Sequence, residues 1–175
     1  MSTRTAAISS YLGKVALITI QVVIAVFFMR FFVLELGRVE GLSMDPALPD
    51  DTLFLVNRVS LYFKPPAVGD IVQLYHPNRK NALIVKRIIG VPGDTLIIQS
   101  NSISVKKETG ELIALDETYL DEFTVTRARG MKSHPDVIPP NHYVVIGDNR
   151  ENSIDSRDFG PVHRNRITGV VVPLN

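Results

Sequence analysis

The distribution of apolar and polar residues divides the chain into two parts. Residues 15–34 are almost continuously apolar, whereas the chain after residue 50 has short β-branched runs separated by Pro, Gly and Asn. Twenty helical residues span about 30 Å, the thickness of a bilayer's hydrocarbon core, provided that Arg30 extends to the interface. The pattern predicts a short cytoplasmic N-terminus at 1–14, a transmembrane anchor at 15–34 and a β-rich domain at 37–175.

Two other structures fit the apolar segment less well. A cleaved signal peptide needs a pair of small residues near its end, but this segment ends in RFFVLE. A buried core helix needs an apolar partner, which the β-rich remainder does not obviously offer. Arg4 and Lys14 precede the span while Arg30 and Arg38 follow it, so the positive-inside rule only slightly favours a cytoplasmic N-terminus.

Seven segments after residue 50 have the composition and alternation of short strands. They lie at 52–57, 71–75, 82–89, 95–99, 102–106, 143–146 and 167–172. Ser100 and Asn101 suit a tight hairpin between two of them. No segment of this part is convincingly helical. The predicted fold class is therefore mainly β, with an N-terminal transmembrane helix followed by a coiled antiparallel β-sheet or partly closed β-barrel.

Two irregular segments interrupt the strand pattern. Residues 107–142 are polar and irregular, and we interpret them as an insertion on the barrel without recognisable chemistry. The loop LYFKPP at 61–66 is unusually apolar, and it either covers the core or contacts the bilayer surface.

The composition excludes several classes of function. Lys+Arg 19 against Asp+Glu 18 gives a net charge of +1 and no basic face for nucleic acid. The chain has no cysteine, which excludes disulfides and thiolate nucleophiles. His76, His134, His142 and His163 show no metal-ligand spacing, so neither a metal nor another cofactor is expected.

The segment GLSMDPAL at 41–48 lies where the apolar segment gives way to the β-rich domain. Ser43 and Asp45 can cap a turn, and the fixed φ of Pro46 suits one. The alternative is that Ser43 is a nucleophile, since without cysteine a nucleophile must be a hydroxyl, an amine or a carboxylate. Two later segments favour this alternative.

A lysine and an arginine are adjacent in the strand predicted at 82–89. Strand alternation sends Lys86 and Arg87 to opposite faces, so Lys86 points inward if Arg87 points to solvent. Desolvation lowers the pKa of a buried lysine and supplies a neutral amine near neutral pH. The alternative is that both side chains reach solvent at a twisted edge.

The loop GDNRENSIDSRDFG at 147–160 follows a predicted strand and is dense in hydroxyls, acids and arginines. Asp155 can reach Arg157, which leaves Ser153 free to turn inward. The three segments together supply a hydroxyl nucleophile, an amine and a hydroxyl to orient it. A Ser-Lys dyad needs these parts and no histidine.

These segments, together with GDIV at 69–72 and KRIIGVPGD at 86–94, resemble the ordered sequence boxes of the type I signal peptidases, also called leader peptidases. The resemblance runs from the apolar segment to about Val162 and omits 107–142. It implies a serine endopeptidase anchored in the bacterial cytoplasmic membrane, with its catalytic domain outside the cytoplasm. Such an enzyme removes signal peptides from exported preproteins after small residues, in the Ala-x-Ala pattern. Lysine as the base suggests the bacterial or organellar branch.

The resemblance also implies a role for each candidate site residue. The assigned roles are nucleophile for Ser43, general base for Lys86, holder of the amine for Ser153, and support of the loop for Asp155, Arg157 and Asp148. The expected partners are preproteins and the lipid bilayer, without nucleic acid, metal or cofactor.

The oxyanion hole and the substrate pocket are less fully specified. The backbone N–H of Ser43 is one expected donor. Gly41 stands where some family members carry a serine that completes the hole, so a backbone donor near Gly41 is expected to compensate. Leu42, Met44 and Val85 flank the dyad and are the candidate pocket residues.

Two other functions fit part of this pattern. A self-cleaving Ser-Lys peptidase of the SOS-repressor type has the dyad, but it should lack an anchor and carry a DNA-binding domain or a small-residue cleavage linker. A catalytically inactive, membrane-tethered binding module would keep the fold, and only Gly41 favours it.

Overall fold

The computed structural model describes residues 2–28, 34–99, 101–131 and 137–174, with side chains from Tyr11 onwards. The elements in these ranges, in chain order, are α1 (Ser2–Phe28), β1 (Leu34–Arg38), β2 (Leu53–Asn57), α2 (Ser60–Phe63), β3 (Ile71–Tyr75), β4 (Leu83–Gly90), β5 (Thr95–Gln99), β6 (Ser102–Lys106), β7 (Leu112–Ala114), β8 (His142–Ile146), α3 (Ser156–Phe159), β9 (Val162–His163) and β10 (Ile167–Pro173).

Helix α1 begins well before the apolar segment. Its part Tyr11–Phe28 is long and apolar enough to cross a membrane, and none of it is buried against the rest of the described chain. This helix fits the predicted anchor, although helix formation already begins at Ser2. Residues 29–33, including Arg30, lie outside the described residues. Leu34, which the predicted span included, is instead the first residue of β1.

Two antiparallel sheets make up the β-rich part. The larger has seven strands in the order β1-β2-β10-β3-β4-β8-β9, and the smaller has the order β5-β6-β7. The larger sheet is curled, so the mainly β fold class behind an N-terminal helix is confirmed.

All seven predicted strands are present, and their observed bounds differ from the predicted ones by one residue at most. Three strands were not predicted, namely β1, β7 and β9. Strand β1 has the sequence LELGR, which mixes charge and glycine, β7 is fully exposed, and β9 has two residues. Such strands carry little apolar alternation because they lie at sheet edges or face solvent.

Three apolar clusters form the core. They pack the strands and the turn that carry the candidate site residues. One lies on β3, β4 and β8 around Leu74 and Val145. A second joins β4 and β8 to β5 and β6 through Ile89, Leu96 and Ile103. The third, described next, holds the turn that contains Ser43.

Candidate active site

Ser43 lies in a turn whose apolar residues are anchored in the core. Met44 and Leu48 are fully buried and belong to a cluster with Phe54. The Leu48 N–H donates to the Met44 carbonyl at 2.8 Å. Burying two side chains of this size stabilises the turn by about 3–6 kcal/mol, which holds Ser43 in one position.

Lys86 points inward from β4, as the strand alternation predicts. Its side chain is buried, with the residue only 3% exposed. The Nζ atom lies 2.7 Å from Ser43 Oγ and donates to the Val85 carbonyl at 2.9 Å. The structure thus brings together a hydroxyl and an amine that are 43 residues apart in sequence.

Burial changes the acidity of this amine. Desolvation lowers the pKa of Lys86 from its usual 10.5 to about 8, even though the carboxylates of Asp155 and Asp148 oppose that change. A lysine with this pKa is about one-tenth neutral at neutral pH, whereas an unperturbed lysine is neutral in about one molecule in three thousand. The neutral amine can accept the hydroxyl proton of Ser43.

Arg87 does not point into solvent, contrary to the assumption made from sequence. It leaves the opposite face of β4, and its Nε and Nη2 atoms donate to the two Asp148 carboxylate oxygens at 2.9 and 2.6 Å. Its guanidinium also lies 3.9 Å from the centre of the Tyr119 ring. This bidentate pair attaches the start of the 147–157 loop to the strand that carries Lys86.

Asp155 and Arg157 brace the other end of that loop. Arg157 Nε and Nη2 donate to the two Asp155 carboxylate oxygens at 2.8 and 2.7 Å, and the Gly147 N–H donates to the same carboxylate at 3.1 Å. Burial alone would raise the pKa of Asp155, but the Arg157 guanidinium outweighs it and the net shift is downward. Removing one partner of such a buried pair costs about 3–5 kcal/mol.

Residues from the segment 107–142 hold the same loop from outside. Arg150 is fully buried and donates to Glu117 and, at 2.7 Å, to Thr126. Arg129 donates to the carbonyls of Ser153 and, at 2.8 Å, of Arg150. The segment in which the sequence showed no chemistry therefore positions the loop beside the dyad. No local pattern could reveal these contacts, because their partners are more than 20 residues away in sequence.

Ser153 lies near the Ser43 turn, on the other side of Gly147, but makes no hydrogen bond with the amine. Its Oγ atom is buried and has no hydrogen-bond partner within the described residues, although its hydroxyl contributes to the lowered pKa of Asp155. The hydrogen bonds of Lys86 go to Ser43 and Val85 instead. Its assignment as the holder of the amine therefore stays a prediction.

Gly147 is the contact point between the loop and the nucleophile's turn. A Cβ atom there would lie 2.2 Å from Ser153 Oγ and 2.5 Å from the backbone oxygen of Ser43. The Asn149 N–H donates to that same Ser43 oxygen at 3.1 Å. Glycine is needed here because any side chain would push the Ser43 turn away from the loop.

We expect Gly147→Ala to lower kcat/KM for peptide cleavage by about 100-fold, because displacing the nucleophile by even 1 Å has an effect of that size. Gly13→Ala is the matched control, since nothing lies within 4 Å of a Cβ there. Activity of both variants is measured on one peptide substrate, with thermal unfolding as a check on folding. A Gly147→Ala enzyme within twofold of the parent would show that the contact does not position Ser43.

A cleft of about 410 Å³ opens beside the dyad. Met44 and Val85 line it, together with Gly37 and Arg38 of β1 and Val39 just after that strand. The third pocket candidate, Leu42, does not line the cleft and is 55% exposed.

The backbone N–H groups near Ser43 differ in whether they are free to bind an oxyanion. Within the described residues the Ser43 N–H has no hydrogen-bond partner, so it is free to bind an oxyanion. The N–H of Gly41 donates to Asp50 Oδ1 at 2.8 Å and is not free.

The described residues contain no cluster of His, Cys, Asp and Glu suited to a metal ion.

Comparisons with known proteins place this geometry in a family. The family model described as signal peptidase, peptidase S26, matches residues 12–174. Signal peptidase I of Bacillus licheniformis is 35% identical over 168 residues, which cover 90% of this chain and 87% of that protein. Signal peptidase IB of Staphylococcus aureus (strain COL) is 34% identical over 156 residues, covering 85% of this chain and 81% of that protein.

The fold agrees with these sequence matches. The crystal structure of a signal peptidase I from Enterococcus faecalis V583 aligns with a TM-score of 0.52 at 26% identity, covering 62% of this chain and 98% of the other. Since the family match spans almost the whole chain, the chain belongs to the signal peptidase family, peptidase S26, and is a serine endopeptidase.

Proposed function

We propose that this enzyme removes signal peptides from exported preproteins at the bacterial cytoplasmic membrane, using Ser43 and Lys86 as a catalytic dyad. The observation that carries the proposal is the 2.7 Å separation of Lys86 Nζ and Ser43 Oγ beside an open cleft. The lowered pKa of Lys86 adds the chemical requirement, because only the neutral amine can act as a base.

In the first half of the reaction, Lys86 takes the Ser43 proton as Oγ attacks the scissile carbonyl. The oxygen that becomes negative is stabilised by the free N–H of Ser43. The protonated Lys86 then gives its proton to the leaving amine, which leaves an acyl-enzyme on Ser43. The Val85 carbonyl orients the amine throughout by accepting a hydrogen bond from Nζ.

In the second half, a water molecule replaces the leaving amine. Lys86, again neutral, takes a proton from this water as it attacks the acyl carbon. The ester bond to Ser43 breaks, and the Ser43 oxygen recovers its proton from Lys86. No group other than the dyad has to change its protonation state.

The shape of the cleft supports a preference for small side chains. Its walls include Met44, Val85 and Phe54, which are apolar and well packed. Strand β1 is an edge strand of the larger sheet, and its residues Glu35, Gly37 and Arg38 line the cleft. An extended peptide can therefore lie along β1 with alternate side chains in shallow pockets, which suits the Ala-x-Ala pattern.

The supporting residues follow from the same geometry. Asp148 and Asp155, each paired with an arginine, hold the loop whose Gly147 touches the Ser43 turn. Among the described residues the buried hydroxyl of Ser153 has no partner, and leaving such a group without a partner costs about 1–3 kcal/mol. We propose that it holds the neutral Lys86 amine at the stage when Ser43 is acylated and no longer free to do so.

Helix α1 serves as the membrane anchor in this proposal, with the catalytic domain on the extracytoplasmic side, where exported signal peptides emerge. The test is incubation of the purified full-length protein with a preprotein that carries an Ala-x-Ala site, followed by sequencing of the new N-terminus. We expect one cut directly after the second alanine, and none with Ser43→Ala. An intact preprotein would instead favour an inactive binding module.

A further inference from the structure

The floor of the cleft contains a buried amide. Strand β1 and residues 83–86 of β4 line the cleft from two sides. In the sheet order β2 and β3 lie between those two strands, so Phe54 of β2 and Gln73 of β3 form its floor. Gln73 is only 5% exposed. A polar side chain at this depth needs hydrogen-bond partners for both ends of its amide.

The oxygen end of this amide has a partner. Val72 and Leu74 belong to the first apolar cluster, so strand alternation turns Gln73 to the other face of β3. There Thr168 Oγ1 donates to Gln73 Oε1 at 2.7 Å, and the same hydroxyl lies 3.1 Å from the backbone oxygen of Gln73. With Oε1 engaged, the side chain is oriented and its NH₂ group is the end that remains.

The nitrogen end has no partner within the described part of the chain. None of the hydrogen bonds of Gln73 there involves Nε2. Of the side-chain atoms in that part, only Ser153 Oγ is fully buried without a partner, so Nε2 must reach solvent. Gln73 lines the cleft, and we place the free NH₂ group there. Water can satisfy this group while the cleft is open, but a bound substrate displaces that water.

The register of the sheet indicates which substrate residue covers the amide. Gln73 is opposite Val85, whereas Lys86 is opposite Val72, so Gln73 is displaced from the dyad by one residue towards the start of β4. An extended substrate places the carbonyl of its last residue before the cut at Ser43. Its third residue before the cut lies about 7 Å farther along the cleft, with its side chain on the same face. That side chain is the one expected to reach the floor at Gln73.

We infer that Gln73 determines specificity, because its Nε2 donates a hydrogen bond to the side chain of the third residue before the cut and makes serine a better residue there than alanine. A serine Oγ can accept this bond as it fills the pocket. An alanine displaces the water and leaves the NH₂ group unpaired, which costs free energy that serine does not lose. The inference rests on the proposed function and refines its substrate class.

The test compares three peptides that differ only at the two small positions, Ala-x-Ala, Ser-x-Ala and Ala-x-Ser. The full-length protein in detergent cleaves each peptide, and kcat/KM is measured. We expect kcat/KM for Ser-x-Ala to be about tenfold above that for Ala-x-Ala, and no such gain for Ala-x-Ser. The ratio between two peptides does not depend on the fraction of folded enzyme, so it is valid for variants of lower stability.

Substitutions at Gln73 and Thr168 identify the source of the ratio. Gln73→Met keeps the length of the side chain but removes the amide, so the Ser-x-Ala to Ala-x-Ala ratio should fall to one or below. Gln99→Met is the matched control, because Gln99 is exposed at the end of β5, and it should keep the parental ratio. Thr168→Val should lower the ratio by releasing Oε1, and Thr168→Ser, which retains a hydroxyl, should keep it.

The possible contradictions separate this inference from the proposed function. Efficient cleavage with equal kcat/KM for Ser-x-Ala and Ala-x-Ala, or a serine preference that survives Gln73→Met, overturns the role of Gln73 alone. A serine preference at the last residue before the cut, in place of the third, overturns the assigned position. Failure of the parent to cleave any of the three peptides, at a rate above that of Ser43→Ala, overturns the proposed function and this inference with it.

Discussion

Replacing Ser43 or Lys86 by alanine is expected to lower kcat/KM for peptide cleavage by at least about 10,000-fold, while the protein stays folded. Neither group works alone, because the hydroxyl needs a base and the amine has no other reacting partner in the cleft. Their atoms are 2.7 Å apart, so removing either one removes the same interaction. The double variant should therefore be no worse than the single variants.

The measurement is steady-state cleavage of an Ala-x-Ala peptide by the full-length protein in detergent, with thermal unfolding recorded for each variant. Ser102→Ala and Lys106→Ala are the controls, since both side chains are exposed on β6, far along the chain from the dyad. More than one per cent of the parental activity in either dyad variant, set against about 0.01 per cent expected, would remove that residue from the catalytic role.

The sequence predicted correctly those features that depend on residues close together in the chain. Strand positions were predictable because alternation of apolar and polar residues is a local signal, and the placement of Lys86 and Arg87 on opposite faces follows from the same alternation. The capping box between Asp155 and Asp158, which starts α3, is equally local and could have revealed that one-turn helix.

The residues that sequence reasoning missed depend on long-range partners. Solvent exposure of Arg87 was only a condition of the argument about Lys86, and it fails because the partner of Arg87 is Asp148, 61 residues away, which nothing near Arg87 in sequence indicates. The segment 107–142 showed no chemistry because the sequence does not reveal that Arg129 lies against Arg150. Buried arginines in a loop need hydrogen-bond acceptors from elsewhere in the chain. That requirement is the one sign in the sequence that the arginines of this loop have distant partners.

The substrate pocket could not be predicted from the sequence even for the residues next to Ser43. Leu42 and Met44 lie on either side of Ser43, yet Met44 is buried and lines the cleft while Leu42 is exposed. Adjacency to the nucleophile does not decide which side chain faces the substrate. That choice depends on the turn conformation, which is set by the burial of Met44 and Leu48 in the third apolar cluster.

The depressed pKa of Lys86 also has a consequence for stability. In the unfolded chain the amine titrates near 10.5, and in the folded protein near 8, so the unfolded state binds more protons between these pH values. The free energy of unfolding therefore gains a contribution as pH rises from about 8 to about 10.5, and below 8 the lysine destabilises the fold by about 3 kcal/mol. This penalty is a cost of keeping a base available in an apolar site.

Cleavage is expected to rise with pH along a limb whose apparent pKa is about 8, the value that burial gives Lys86. With this pKa, kcat/KM at pH 6 should be about 100-fold below its plateau, because only about one per cent of the amine is then neutral. The measurement is kcat/KM on an Ala-x-Ala peptide without groups that titrate in this range.

A stability measurement identifies the residue behind the limb. Lys86→Met retains an apolar chain of similar length, so the difference in the free energy of unfolding between this variant and the parent isolates the buried amine. That difference should shrink as pH rises from about 8 towards 10.5, since the parental amine no longer loses a proton on folding once both states are neutral. A limb that stays near pH 10.5, or a stability difference that does not change with pH, would exclude a neutral buried lysine as the base even if Ser43 proved to be the nucleophile.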